Sequence, residues 1–232
     1  MRATPAALIV AIASLLAGCD GAKSLAARAG VGGFEARCEA SLPATRIEVD
    51  AAPVLYGMDR TRSWRELSAL GGEATPGMRP LGLTTAIVSH KASVETAGVE
   101  EQRSGRVCVR PSIEVELSAT PMTVYIGREM AGDPCRDAVT LAHEMKHVAV
   151  YRDEMARIAQ DVRARLESLY ANRILYFASR SEAQREVKAA LGAEVGRLLA
   201  DNAKRIKDRQ RDVDTPEEYA RVGAACGGMT AN

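Results

Sequence analysis

The chain has 232 residues, of which 47% are hydrophobic, and a formal net charge of +1 at pH 7. This balance of charge, with only one Trp, six Tyr and two Phe, offers neither a basic surface nor a stacking platform, and so excludes nucleic acid as the expected partner. The length and the hydrophobic fraction are typical of one compact domain with an appended segment.

The first 18 residues have the features of a bacterial export signal. Arg2 precedes an uncharged apolar run from Ala6 to Ala17, which is too short to remain in a membrane as a permanent span. The run ends in Leu16-Ala17-Gly18-Cys19, which resembles the lipoprotein signal, in which cleavage precedes a cysteine that receives the lipid. We therefore predict a signal peptide over residues 1–18 and a periplasmic, cell-envelope protein anchored to the membrane by lipid on Cys19.

The residues after Cys19 predict a tether. Asp20 resembles the signal that retains lipoproteins at the inner membrane of some Gram-negative bacteria, so the inner membrane is favoured. The stretch up to Gly33 is rich in Gly and Ala, a composition typical of linkers. We assign residues 19–45 to the lipidated cysteine and the tether, and residues 46–232 to the folded domain.

The first half of this domain contains strand patterns and one short helix. The alternation from Thr45 to Asp50 predicts a strand, and Ser63 with Glu66 forms a capping box that begins a short helix. Turn residues separate the strand-like runs that follow, which predicts a small antiparallel β-sheet. These runs are Leu83–Val94, Arg106–Leu117 and Met122–Gly127.

The most specific pattern in the chain is His143-Glu144-Met145-Lys146-His147. Residues four apart stand on the same face of an α-helix, so the two imidazoles can bind one metal ion. Glu144 lies about 100° round the helix from His143, where its carboxylate can reach a metal-bound water without being a ligand. Asp133-Pro134 is a favourable helix start. This is the HExxH pattern of zinc hydrolases, and it predicts Zn²⁺ as the cofactor.

The helical pattern continues well beyond this motif. Apolar residues recur at intervals of three and four in two long seams, which are separated by a break at Phe177–Ser181. The pattern predicts a long antiparallel helical hairpin over residues 136–213, with Ser181 and Gln184 capping its second helix. Folding about Ser179 would bring residues 211–215 opposite the motif.

A third zinc ligand is needed, and the candidates nearest to the motif fit poorly. Asp153 stands at the spacing of one other metalloprotease family, but the chain lacks the Gly which that family needs to turn the chain. Glu167 stands at the spacing of a second family, but an unbroken helix would put it ~30 Å from His147. Glu154 faces the right way but lies ~10 Å along the axis. His90, on a predicted strand, is the remaining imidazole.

The predicted disulfides favour Glu218 as the third ligand. Removing Cys19 from the five cysteines leaves four, as expected outside the reducing cytosol. The layout favours Cys38 with Cys108 and Cys135 with Cys226, and the second bridge would place Glu218 at the height of the motif. The alternative role for Glu218 is a capping box at the start of a short C-terminal helix. Asp214 is the next candidate.

Residues 46–226 resemble the predicted secreted zinc-dependent proteases of bacteria. The resemblance implies a zincin-like α+β fold and hydrolysis of a peptide or protein substrate in the cell envelope. That family has a His-Gly pair after a late Asp and Thr, whereas Pro216–Tyr219 stands there in this chain, which is consistent with a carboxylate replacing the imidazole. The segments that carry the resemblance are VLYGMDRTRSWRELSAL, GLTTAIV, RVCVRPSIEVELSATPMTVYI, CRDAVTLAHEMKHVAVYRDEM and DVDTPEEY.

The sequence therefore predicts a zinc metallopeptidase of the HExxH type. His143, His147 and Glu218 are expected to bind the metal, Glu144 to act as general base on a zinc-activated water, and Tyr219 to stabilise the oxyanion.

Other features of this prediction stay open. Tyr151 is the alternative oxyanion donor, and the strand Met122–Gly127 is expected to align an extended substrate by edge pairing. The alternative function is a non-catalytic, lipid-anchored binding or scaffold protein, whose helical hairpin would engage a partner protein of the envelope.

Overall fold

A computed structural model describes residues 33–71 and 79–227, and over these ranges the protein has a mixed α+β architecture. The predicted signal peptide, Cys19 and Asp20 lie outside the described residues. No helix within them is long and apolar enough to cross a membrane. The helices are α1 (Phe34–Ser41), α2 (Trp64–Gly71), α3 (Pro134–Tyr170), α4 (Arg180–Arg211) and α5 (Pro216–Ala224), and the strands are β1 (Arg46–Ala51), β2 (Gly57–Asp59), β3 (Gly82–Glu100), β4 (Val107–Ile126) and β5 (Leu175–Phe177).

The sheet is built around β4, which has partners on both edges. Along one edge β3 pairs antiparallel with β4 from end to end. Along the other edge β5, β1 and β2 follow one another, and β1 and β2 run parallel to β4. The sheet is therefore mixed rather than antiparallel as predicted, because alternation of apolar residues reports the faces of a strand but not its direction.

The predicted runs Arg106–Leu117 and Met122–Gly127 are parts of one strand, β4. Pro121, which stands between these two predicted runs, lies opposite a register shift between Ala86 and Val88 of β3, where the missing N–H is tolerated in the ladder. The prediction that Met122–Gly127 offers a free edge is also wrong, because this stretch pairs with β2 on one side and β3 on the other.

Helix α1 belongs to the fold, although the predicted tether extended to residue 45. Phe34, Cys38 and Leu42 are buried against Cys108, and the predicted disulfide between Cys38 and Cys108 is confirmed. These few anchors are too sparse to make a hydrophobic pattern in the sequence. The described part of the fold consequently includes a helix within the range that the composition assigns to the tether.

Helix α3 starts where the sequence predicts, whereas α4 starts earlier. The Asp133 carboxylate accepts a hydrogen bond from the Arg136 backbone N–H at 3.0 Å, which satisfies one of the free donors of the first turn. Helix α4 is capped by Ser179, whose hydroxyl accepts from the Glu182 N–H at 3.2 Å. The predicted cap at Ser181 is wrong by two residues.

Two ion pairs connect α3 with α4 at different heights. Arg205 Nε donates to Glu154 Oε2 at 2.6 Å, and Glu154 is only 2% exposed. Further along, Arg165 Nε donates to Glu194 Oε1 at 2.6 Å. Residue numbers that rise along α3 therefore meet falling numbers along α4. The apolar side chains buried between these helices and the sheet include Ile158, Val162, Leu166, Leu191, Val195 and Ile206.

The predicted disulfide between Cys135 and Cys226 is also confirmed, with a sequence separation of 91 residues. It joins the first turn of α3 to the end of α5. Replacing both cysteines by Ser is expected to lower the free energy of unfolding by about 4 kcal/mol, because the bridge restricts a long loop in the unfolded chain. Urea denaturation of the two proteins measures this difference, and an unchanged midpoint would contradict it.

Glu194 makes stability depend on pH at the contact between the long helices. Hydrogen bonds from Arg197 and Arg165 lower the pKa of Glu194 from 4.5 to about 2. A folded-state pKa below the unfolded value stabilises the protein above pH 4.5 and loses this contribution as the pH falls through 2.

Glu194→Gln should therefore destabilise the protein by about 1 kcal/mol or less near pH 7, since the pair is accessible to solvent. The difference from the wild type should vanish below pH 2. Denaturant unfolding at both pH values tests this. Glu186→Gln, which removes an exposed carboxylate paired with its neighbour Arg185, is the matched control and should change little.

Candidate metal centre

Helix α3 presents the motif with its two histidines on one face. His143 and His147 are 7% and 8% exposed, and their ring centroids lie 5.0 Å apart. The spacing of four residues in an unbroken helix accounts for this arrangement. Both imidazoles face the end of α4 and the start of α5, so they are partly shielded from water.

Asp214 brings a carboxylate to both rings at once. Its Oδ1 lies 3.1 Å from His143 Nε2 and 3.2 Å from His147 Nε2. Ligand atoms of these three side chains all lie within 4.8 Å of one another, so the group could hold a metal ion. Two imidazoles and one carboxylate are a donor set that suits zinc with an open coordination position.

The turn between α4 and α5 puts Asp214 in this place. Helix α4 ends at Arg211, and the Asp214 N–H donates to the Arg211 carbonyl at 3.1 Å, which reverses the chain tightly. Thr215 then caps α5 by accepting from the Glu218 N–H at 3.2 Å, with Pro216 at the first helical position as predicted. Asp214 is thus fixed between two helix ends.

Glu218, the predicted third ligand, lies on the other side of the His143 ring. Its Oε1 is 3.2 Å from His143 Nδ1, whereas Asp214 faces Nε2 of the same ring. Glu218 also accepts hydrogen bonds from Lys146 and Arg221, each at 2.7 Å. The structure therefore includes Asp214 in the possible metal group, and gives Glu218 the position of a carboxylate that orients a ligand.

Gln210 orients the His147 ring, as Glu218 orients the His143 ring. Its Oε1 accepts from His147 Nδ1 at 2.6 Å, and its Nε2 donates to the His147 carbonyl at 3.3 Å. Hydrogen bonds to both Nδ1 atoms direct the Nε2 atoms towards Asp214. Sequence reasoning missed Gln210 because an amide has no place in a ligand pattern. Its position four residues before Asp214 was the available signal.

The charges of the cluster support one another. Burial, the largest single effect, would lower the pKa of both His143 and His147. Hydrogen bonds with Asp214, together with the charge of Glu144 and the hydrogen bonds to Glu218 and Gln210, outweigh it and raise both pKa values. Burial would likewise raise the pKa of Asp214, yet its hydrogen bonds with the two histidines hold that pKa well below its usual range. Asp214 therefore carries a negative charge, which favours the binding of a cation in this group.

Glu144 directs its carboxylate towards β3, still within range of the charges of His147, His143 and Asp214. The Thr84 hydroxyl donates to Glu144 Oε2 at 2.8 Å, and Glu144 is 3% exposed. A Cβ atom added to Gly82 would lie only 2.5 Å from Glu144 Oε1, so this glycine makes room for the carboxylate. Burial raises the pKa of Glu144, which makes its carboxylate a better acceptor of a proton.

The remaining predicted residues fall at different distances from the cluster. The Tyr219 ring lies 5.8 Å from the His143 ring, and its hydroxyl hydrogen-bonds with Asp214. Burial and the Asp214 charge raise the pKa of Tyr219. Glu154 is held by Arg205, and His90 lies on β3 opposite Leu117 of β4, so neither joins the metal group found among the described residues.

Comparisons of this chain with protein-family models, with curated proteins and with solved structures find no match. The resemblance to secreted zinc-dependent proteases therefore stays a prediction, and the case for a function depends on the geometry of the site.

Substitutions should separate the residues that bind the metal from those that orient them. His143→Ala, His147→Ala and Asp214→Asn should each abolish stoichiometric binding of zinc, because each removes one of three donors. Glu218→Gln should weaken binding by about 10- to 100-fold and no more. Isothermal titration with Zn²⁺ measures this. Loss of binding in Glu218→Gln with full binding in Asp214→Asn would reverse the assignment of the two carboxylates.

Proposed function

We propose that this protein is a zinc-dependent metallopeptidase, anchored by lipid in the bacterial cell envelope. One observation carries the proposal: the Nε2 atoms of His143 and His147 converge on one Asp214 oxygen, while the Glu144 carboxylate, held by Thr84, interacts with the charges of these three residues. Zinc bound there would polarise the carbonyl of a substrate and lower the pKa of water. A scaffold role would not require either feature.

Glu144 is the general base in this proposal. It takes the proton of the attacking water and passes it to the amine that leaves. The hydrogen bond from Thr84, at 2.8 Å, holds the carboxylate in a fixed direction, and burial raises its pKa towards the working range. Tyr219 is the proposed oxyanion donor, and its hydrogen bond with Asp214 holds it beside the cluster.

The edge of β3 is the surface proposed to align the substrate. Among the described residues β3 pairs only with β4, so the backbone on its other edge has no strand partner. Its first residues, Gly82 to Thr84, contact Glu144. An extended peptide added to this edge would run past the general base. The sheet packed on α3, with α4 folded back, supports the proposal of a zincin-like architecture.

Removing the base should separate metal binding from turnover. Glu144→Gln keeps the shape of the side chain but cannot accept the proton, so we expect a loss of about 10²- to 10⁴-fold in peptide hydrolysis with zinc content unchanged. Mass spectrometry of a mixed peptide library, with zinc analysis, measures both. Glu217→Gln, an exposed acid on α5, is the control. Equal cleavage by wild type and Glu144→Gln would contradict the proposal.

A methyl group at residue 82 should disturb the base without touching the metal. In Gly82→Ala the new Cβ would meet Glu144 Oε1 at 2.5 Å and Cγ at 2.8 Å, so the carboxylate must move. Since misplacement of a catalytic group by about 1 Å can cost 10²-fold, we expect kcat to fall at least tenfold with zinc affinity retained. Gly57→Ala, where the methyl meets nothing within 4 Å, is the matched control and should keep full activity.

A further inference from the structure

A cavity of about 380 Å³ opens between β3, α3 and α4. Its volume falls in the range of small ligand sites. Apart from the Tyr151 hydroxyl, its lining side chains are aliphatic, and none of them carries a charge. Its walls are formed by Ala86 and Val88 of β3, Tyr151 of α3, and Leu199, Ala203 and Ile206 of α4.

The cavity lies one helical turn along α3 from the candidate metal centre. Tyr151 lies one helical turn, ~6 Å, beyond His147 on the same face of α3. On β3, alternate residues share a face of the strand. The row that begins with Gly82 and Thr84 beside Glu144 therefore continues to Ala86 in the cavity wall. One face of β3 thus adjoins both the proposed base and the cavity.

We propose that this cavity binds a large apolar side chain of the peptide substrate, such as that of Leu or Phe, close to the bond that is cleaved. This inference rests on the proposed function and deepens it. A charged side chain would lose its hydration there and find no charged partner. An apolar side chain would leave water for a lining of the same character. Peptides with a small residue at this position should bind at least tenfold more weakly.

The shape of the cavity allows it to be filled without disturbing the core. Ala203 is exposed on α4, whereas Ile206 is 7% exposed and forms the buried end of the lining. Ala203→Leu puts a good helix former at the mouth, so the fold should be retained. Ala200→Leu is a second variant on the same rim. Ala190→Leu, exposed on α4 outside the cavity, is the matched control.

The first experiment measures binding without turnover. Full-length Glu144→Gln protein incubated with Zn²⁺ is titrated with N-acetyl-Ala-Leu-Ala-amide and with N-acetyl-Ala-Gly-Ala-amide, and methyl NMR signals are followed. The Leu peptide should bind saturably and at least tenfold more tightly than the Gly peptide. Adding Ala203→Leu or Ala200→Leu should remove this difference, and adding Ala190→Leu should not. Equal binding of the two peptides, or capture of a fatty acid in place of the Leu peptide, would overturn the inference.

The second experiment profiles cleavage by the protein with Glu144 intact. Its cleavage sites in a mixed peptide library should adjoin large apolar residues, and Ala203→Leu should shift them to smaller residues with zinc content unchanged. Cleavage without an apolar preference would overturn the cavity assignment alone. Selective binding of the Leu peptide with no cleavage of any peptide would instead contradict the proposed peptidase function and leave the cavity assignment standing.

Discussion

The contact of Asp214 with both histidines is the constraint on which the rest of the structure depends. Asp214 and His143 are 71 residues apart in the chain, yet their side chains meet at 3.1 Å. An ionised carboxylate that is partly removed from water needs partners with the opposite charge or with hydrogen-bond donors. The two imidazoles provide them, and Glu218 and Gln210 hold the imidazoles in turn. These groups meet because α4 runs back along α3 and so returns the chain to the histidines.

Two faces of α3 contact two different elements of the fold, α4 and β3. The histidines face the end of α4 and the turn at Asp214, while Glu144, about 100° round the helix, faces the first residues of β3. Each neighbour is fixed separately: α4 by the Glu154–Arg205 pair, and β3 by its pairing with β4. The length of β4 matters here, because the same strand that anchors β1 and β5 also carries β3 as far as Glu144. The proposed base and the two histidines therefore share α3 but are held by partners from separate parts of the fold.

The sequence correctly predicted those features of the fold that depend on a residue and its neighbours in the chain. The start of α3 at Asp133-Pro134 and the start of α5 at Thr215-Pro216 follow from capping rules, and both disulfides follow from the layout of elements. The parallel direction of β1 and β2 was not readable, because it depends on how long connections cross the sheet rather than on the strand residues. The inclusion of α1 in the fold was missed for a similar reason, since its anchors act through contact with distant Cys108.

The choice between Asp214 and Glu218 shows what helical periodicity cannot predict about the candidate metal group. Matching heights along α3 and α5 correctly brought Glu218 to His143, since the two side chains meet at 3.2 Å. Height along a helix does not determine which nitrogen of a ring is approached, and Glu218 reaches Nδ1. Asp214 lies in a turn, outside both helices, so helical periodicity could not place its side chain. The deciding quantity was the rotation of an imidazole, which depends on Gln210 and Glu218 together.

Two rows of residues spaced by four connect the metal group with the cavity. Along α3 the row is His143, His147 and Tyr151, and the opposing row contains Asp214, Gln210 and Ile206. Because the helices meet in opposite order, each residue of one row faces its counterpart in the other. A tilt of α4 that widened the cavity at Ile206 would also draw Gln210 away from His147, and so release the ring that Asp214 contacts. The buried ion pair of Glu154 with Arg205 lies one turn beyond Tyr151 and opposes such a tilt. The shape of the cavity and the direction of the imidazole nitrogens in the candidate metal group are therefore set by one helix–helix contact.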